Sequence, residues 1–157
     1  MIREVRATDA TEIIDVAVAS TLFAPEDRPF VQEIVDGYLA TGAPEGRRMR
    51  VVEIDGRIHG VVYYQPKPAA AGVWDLTMIA VPKAAHGRGH GSELMRHVEA
   101  ELREQGERLL LVETSGTDAF TATRGFYSGL GYEEVARVRD YWSDGDDLVL
   151  FRKDLRR

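Results

Sequence analysis

The 157-residue sequence predicts a single α+β domain, residues 1–157, built on a largely antiparallel sheet. Three observations carry this. The predicted elements run β-α-α-β-β-β-α-β-α-β-β, strands and helices mix without strict alternation, and two Gly-containing turns join neighbouring strands as hairpins. A chain of this length buries roughly 70% of the surface it exposes when unfolded, so a core forms without covalent staples.

Residues 2–7 alternate well enough for a strand, and Asp9 with Glu12 predicts a capping box opening a helix whose apolar stripe is Ile13, Ile14, Ala17 and Val18. A second helix is expected from about Asp27, with Pro29 in its first turn and Phe30, Val31, Ile34, Val35 and Tyr38 at helical spacing; Thr41-Gly42-Ala43-Pro44 ends it. Residues 50–54 and 57–64 are β-rich runs across Asp55-Gly56, the signature of a two-residue hairpin turn. Residues 65–72 lack periodicity and read as a mobile loop, and 73–81 form a buried central strand stopped by Pro82. Leu94, Met95, Val98 and Leu102 mark a helix over 92–105, ended by Gly106. A buried strand at 109–114, a short helix at 118–128 and a closing hairpin of 132–141 with 147–153 complete the order.

Composition bounds the function. There are 20 Lys+Arg against 26 Asp+Glu, a formal net charge of −6, which argues against non-specific binding to duplex DNA or acidic membranes. The absence of Cys removes disulfides, thiolate metal sites and Cys nucleophiles and is compatible with a reducing compartment. No uncharged apolar run approaches the roughly 18 residues of a membrane helix, and residues 1–6 alternate charge with apolar side chains rather than forming a secretory signal. The expectation is a cytoplasmic protein with no nucleic-acid or membrane partner.

The informative segment is Ile79-Ala80-Val81-Pro82-Lys83-Ala84-Ala85-His86-Gly87-Arg88-Gly89-His90-Gly91-Ser92. Three Gly at alternate positions, after a strand and before a helix, leave backbone N–H groups unpaired at the positive end of a helix dipole, which makes an anion cradle. A nucleotide P-loop requires Lys before the Ser, and Gly91-Ser92 lacks it. A dinucleotide fingerprint requires a third Gly three residues after the second and a βαβ unit at the front of the fold; neither is present. His86 and His90 have no carboxylate at zinc-motif spacing, so no metal is expected. A ligand-free flexible connection would show the same Gly pattern.

At this point the sequence resembles the GNAT superfamily of N-acetyltransferases, which carry Gln/Arg-x-x-Gly-x-Gly/Ala between the fourth strand and a helix. His86-Gly87-Arg88-Gly89-His90-Gly91 occupies that place, with His86 where Gln or Arg is usual. Gly125-Phe126-Tyr127-Ser128-Gly129-Leu130-Gly131-Tyr132 is similar to the family's Phe-Tyr-x-x-x-Gly-Phe/Tyr segment, and the element order agrees over nearly the whole chain. The resemblance implies a mixed, mostly antiparallel sheet of six to seven strands with about four flanking helices, and acetyl-CoA lying between splayed central strands. It also implies that the backbones of Ile79 and Val81 bond the pantetheine arm, that the turn from His86 through Gly87, Arg88, Gly89, His90, Gly91 and Ser92 holds the phosphates, and that dimers are frequent. Phe120 stands where many relatives have Asn, which leaves Thr117, Thr121 and Arg124 as substitutes for that contact.

The implied activity is N-acetyl transfer from acetyl-CoA to a primary amine of a small molecule, peptide or protein, by direct attack in a ternary complex. An amine with a Lys-like pKa must first lose a proton, at a cost of about 4.6 kcal/mol at pH 7, and a carboxylate can relay that proton. Asp75, six residues before Val81, matches the catalytic carboxylate of the histone-acetylating branch, and Glu113 is the competing base. Tyr127 is the candidate donor to the departing thiolate, a mismatch of about 2 kcal/mol for an unperturbed phenol. Trp74, Tyr63, Tyr64, Tyr141 and Trp142 are candidates for core or sheet-face positions, a subset of them for an acceptor wall, and the carboxylates of residues 144–147 for attraction of a basic substrate. The alternative is a non-catalytic acyl-CoA-binding or regulatory module that keeps the cradle without turnover.

Overall fold

The computed structural model describes residues 1–42 and 44–157. Among them the order is β1 (Ile2–Glu4), α1 (Ala10–Val18), α2 (Arg28–Thr41), β2 (Arg48–Ile54), β3 (Arg57–Pro66), β4 (Val73–Ala80), α3 (His90–Glu104), β5 (Leu109–Ser115), α4 (Thr121–Gly129), β6 (Glu133–Ser143) and β7 (Asp146–Asp154). The strands form one seven-stranded sheet in the order β1-β2-β3-β4-β5-β7-β6, antiparallel at β1-β2, β2-β3, β5-β7 and β6-β7 and parallel at β4-β5. No helix of the described residues is long and apolar enough to cross a membrane. The chain divides into two compact units, residues 1–66 with 77–100, and residues 67–76 with 101–157, so β4 and α3 each contribute to both.

In the first unit, α1 and α2 bury Ile13, Ala17, Val31 and Val35 in one core with Met49, Val51, Val61, Tyr63 and Met78 of the strands. Phe30, expected on the buried stripe of α2, is instead exposed, because it lies one position before Val31 and off the face that Val31, Val35 and Tyr38 share. The Tyr38 hydroxyl accepts a hydrogen bond from the Met49 backbone N–H at 3.1 Å, which ties α2 to β2. Gly42 ends α2 in the left-handed conformation, φ 60°, as a C-terminal Gly does; Ala43 of the expected stop lies outside the described residues. The β2–β3 turn at Asp55-Gly56 has positive φ at both residues, 51° and 74°, the pattern expected of that dipeptide.

The expected Asp9/Glu12 capping box does not form. Asp9 Oδ2 instead accepts the Arg6 backbone N–H at 2.7 Å across a preceding 3₁₀ turn, and both of its oxygens accept from Arg3, at 2.8 and 3.0 Å. Glu12 is taken by β3, accepting from the Ile58 N–H at 2.9 Å and from Arg57 Nε at 3.0 Å. Each carboxylate is thus held by one arginine and one backbone N–H from outside the box.

In the second unit, residues 67–72 are organised rather than aperiodic: Lys67 N–H donates to Val73 O at 2.8 Å and Ala70 N–H to Lys67 O at 3.3 Å, closing the connection into β4. The parallel register runs from Val73↔Leu109 to Leu76↔Val112. β5, expected to be buried throughout, alternates: Leu110, Val112 and Thr114 are buried and Glu113 is exposed. The predicted helix at 118–128 splits into a 3₁₀ turn, Asp118–Phe120, and α4. β7 inserts between β5 and β6, burying Leu148, Val149 and Phe151, and leaves β6 as an edge strand exposed along its length.

Arg3 and Asp9 are each about nine-tenths buried, and Arg3 Nε also donates to Glu53 at 2.6 Å. The Arg3 hydrogen bonds lead the causes that hold the Asp9 carboxyl below its ordinary value, so its contribution is present above about pH 4 and is lost as pH falls through the lower folded-state value. Asp9→Ala should cost about 3 kcal/mol at pH 7, read by urea unfolding, with the gap to wild type closing as the pH is taken below about 4.

Candidate active site

The predicted cradle lies in the first unit. Glu93 N–H donates to Gly89 O at 2.9 Å, which makes Gly89 the N-cap of α3 and leaves the N–H groups of His90, Gly91 and Ser92 without acceptors inside the helix. Gly87 and Gly89 have φ of 80° and 84°, a conformation that L side chains rarely adopt, and a Cβ at either would meet nothing within 4 Å. The turn is therefore open at Gly87 and Gly89, and the α3 dipole adds positive potential at the helix start that follows them. Gly87, Arg88 and Gly89 are exposed, Gly91 and Ser92 half-buried, and His90 buried.

Two contacts fix this helix end. A Cβ at Gly60 of β3 would lie 3.1 Å from Leu94 Cδ1 and 3.2 Å from both Val52 Cγ1 and Val81 Cγ2, so α3 reaches β3 only because residue 60 has no side chain. Beside it the His59 and His90 rings pack at 5.4 Å between centroids. Sequence reasoning missed both residues. Its one available signal was a Gly inside a strand pattern, which marks close approach of another element.

His86, which stands where Gln or Arg is usual in the family, is held by its own side chain. Its Nε2 lies 2.9 Å from Val81 O, and since a carbonyl only accepts, Nε2 carries the proton. That hydrogen bond occupies the Val81 carbonyl and pins the turn to the end of β4. Ile79 is half-buried on the same strand.

The acid–base candidates lie in the second unit. Asp75 is partnered across β4-β5 with Leu111, so Glu113, two residues on, projects from the same sheet face. Asp75 is not free: Lys67 Nζ lies 3.1 Å from its Oδ2. Lys67 is raised above its ordinary value chiefly by the hydrogen bond to Asp75, with Glu113 and Tyr141 acting on it as well. This lysine falls in the segment read from sequence as a loop, and nothing in its spacing announces the pair.

Tyr127 of α4 is buried, stacked on Phe126 at 5.2 Å and edged by Tyr132 and Phe151 at 5.8 and 5.7 Å. Burial pushes its phenol well above the usual value, so it stays protonated. Arg124, Thr117 and Thr121 form a network of their own: Arg124 Nη1 donates to Ser115 O and Thr117 O at 2.7 and 2.8 Å, and Nη2 to Thr121 Oγ1 at 3.2 Å. Trp74, Tyr63 and Tyr64 are core residues, while Tyr141 and Trp142 are about half exposed, with Trp142 Nε1 donating to Thr114 O at 3.3 Å. In the acidic hairpin, Asp146 accepts from Ser115 Oγ at 2.5 Å and Asp147 from the Asp140 N–H at 3.0 Å.

Comparison with known proteins identifies the family and the fold. A family profile for the acetyltransferase (GNAT) domain matches residues 45–134. A crystal structure of a GNAT-family protein from Desulfovibrio desulfuricans superposes with a TM-score of 0.92 at 33% identity, covering 99% of this chain and 98% of that one. An aminoglycoside 6′-N-acetyltransferase crystallised with coenzyme A shares the fold, with a TM-score of 0.80 at 18% identity over 99% and 97% of the two chains. An amino-acid acetyltransferase of Ralstonia nicotianae is 37% identical over 76 residues, 48% of this chain, and the match spans only 17% of that relative's length.

Gly60 sets how closely α3 approaches the sheet. Gly60→Val should lower stability by about 1–3 kcal/mol through overpacking against Leu94, Val52 and Val81, seen as a reduced urea midpoint.

Proposed function

Because the chain belongs to the GNAT family of acetyltransferases, we propose that it transfers an acetyl group from acetyl-CoA to a primary amine by direct attack. The observation that carries this reading is the open Gly turn at the start of α3, where acceptor-free amides border space that a Cβ does not fill. The donor set suits a diphosphate: uncharged backbone N–H groups, a helix N-terminus and the exposed Arg88. Acetyl-CoA supplies a thioester whose acyl carbon an amine attacks.

The remaining steps are assigned to this chain's own groups. The amides of residues 87–92 bind the phosphates, with Arg88 adding charge, and the backbones of Ile79 in β4 and of Val81 just past it, the latter through its N–H since its carbonyl is taken by His86, offer pairing to the amide-bearing arm. His86, held on Val81 O, serves by fixing the turn rather than by touching phosphate. The carboxylate face of Asp75 and Glu113 takes the proton from the acceptor ammonium, and Tyr127 donates a hydrogen bond toward the thiolate as it departs. Without Cys, no thioester on the enzyme intervenes. The acceptor class favoured is a small primary amine, supported by the relative named for amino-acid acetylation.

The reading is tested with purified protein, acetyl-CoA and a panel of amino acids, polyamines and peptides, following free thiol. Acetyl-CoA-dependent thiol release with at least one amine is expected. Calorimetric binding of acetyl-CoA without thiol release across the panel would favour the binding-module alternative. Gly89→Val should weaken acetyl-CoA binding at least tenfold by calorimetry, since the variant strains a left-handed position and places methyl groups at the amides. Tyr127→Phe should lower kcat by about 10²-fold with little change in the calorimetric Kd for acetyl-CoA.

A further inference from the structure

We propose that Lys67 is a positioning residue of the proton-accepting face: it holds Asp75 as an ion-pair partner and so leaves Glu113 as the carboxylate that takes the acceptor's proton. This rests on the reading above and assigns the base within it.

The geometry comes from three adjacent pieces of chain. The Lys67 backbone is anchored where β3 turns into β4, by its N–H to Val73 O at 2.8 Å, and its side chain reaches the strand that follows, with Nζ 3.1 Å from Asp75 Oδ2. Asp75 and Glu113 share a face of the β4-β5 ladder by register. Lys67 contacts Asp75 of β4, and by register Glu113 of β5 and Arg152 of β7, the partner of Leu111, lie on the same face, Arg152 being paired with Glu133 of β6.

The acids are not equivalent. A carboxylate bound to an ammonium must give that partner up before it can take a proton, whereas Glu113 is the more exposed of the two and forms no ion pair among the described residues. Lys67 has a second effect, because a cation beside Asp75 also favours the charged form of a carboxylate on the same face, and its removal takes that away.

The test is the pH dependence of kcat/KM for wild type, Lys67→Met, Lys67→Arg and Lys67→Met/Asp75→Asn. Lys67→Met should move the acid limb upward by about one pH unit. Lys67→Arg should hold it at the wild-type position, and Asp75→Asn in the Met background should bring it back by removing the second charge. Glu113→Gln should lower kcat at least tenfold more than Asp75→Asn. An unmoved limb in Lys67→Met, or a larger kcat loss in Asp75→Asn than in Glu113→Gln, overturns the proposal. Carboxyl ¹³C titration of Glu113 by NMR, wild type against Lys67→Met, reads the same shift without turnover. Failure of thiol release in every amine assay would therefore count against the proposed activity, while an unshifted Glu113 titration would count against the role of Lys67.

Discussion

The structure depends most on the closeness of α3 to β3. Gly60 is the point of approach, and the atoms its Cβ would meet belong to Leu94 of the helix, Val52 of β2 and Val81 just past β4. One missing side chain thus sets where the first turn of α3 sits relative to the strand that feeds it. That placement decides where the free amides of His90, Gly91 and Ser92 point, and an anion site made of main-chain donors has no other means of adjustment. The loop cooperates: Gly87 and Gly89 take positive φ so that the chain reverses without a side chain over the amides, and His86 ties the reversal back to Val81.

Charge is arranged with matching economy. The chain is acidic overall, yet the turn before α3 is built from Gly, His and Arg88, with Lys83 close by in sequence, so the phosphate-binding surface proposed there stands out against its surroundings. In the second unit most carboxylates are committed to structure. Asp146 accepts from Ser115 of β5 and Asp147 from the Asp140 backbone, so two of the acids near the β6–β7 turn also have a structural part. Glu113 is exposed on a strand whose alternate residues are buried, an arrangement that structure alone does not require.

The legible parts of the sequence were those whose physics is local. The Asp55-Gly56 turn, the Gly42 stop and the amphipathic stripe of α3 each follow from a dihedral preference or a 3.6-residue period, and each stands where it was expected. The Gly turn belongs with them, because positive φ and open space are properties of a few consecutive residues. What could not be read required knowing which distant group arrives. Asp9 and Glu12 have the spacing of a capping box, but Arg3, Arg57 and the Ile58 amide reach them through the folded sheet. The insertion of β7 between β5 and β6 is a competition between strands for burial, and the contrast of Leu148-Val149-Leu150-Phe151 with the charged run of β6 hints at it only once both are known to be strands. Lys67 is invisible for the same reason, since its partner Asp75 is across a turn with no regular period.

Tyr127 shows how burial narrows a role that composition leaves wide. An ordinary phenol lies close enough to a thiol in acidity to hand over its proton at modest cost, and the motif alone allows that reading. Packed against Phe126, Tyr132 and Phe151, the hydroxyl is pushed further from a thiol's range, so full transfer becomes less favourable while the proton stays in place at every pH the protein would meet. A group of that kind is suited to donate a hydrogen bond to negative charge as it develops, in surroundings of low dielectric where such a bond is strong. In the proposed reaction the proton released by the amine goes to a separate group on the carboxylate face, so the base for the nucleophile and the donor for the leaving group are different side chains.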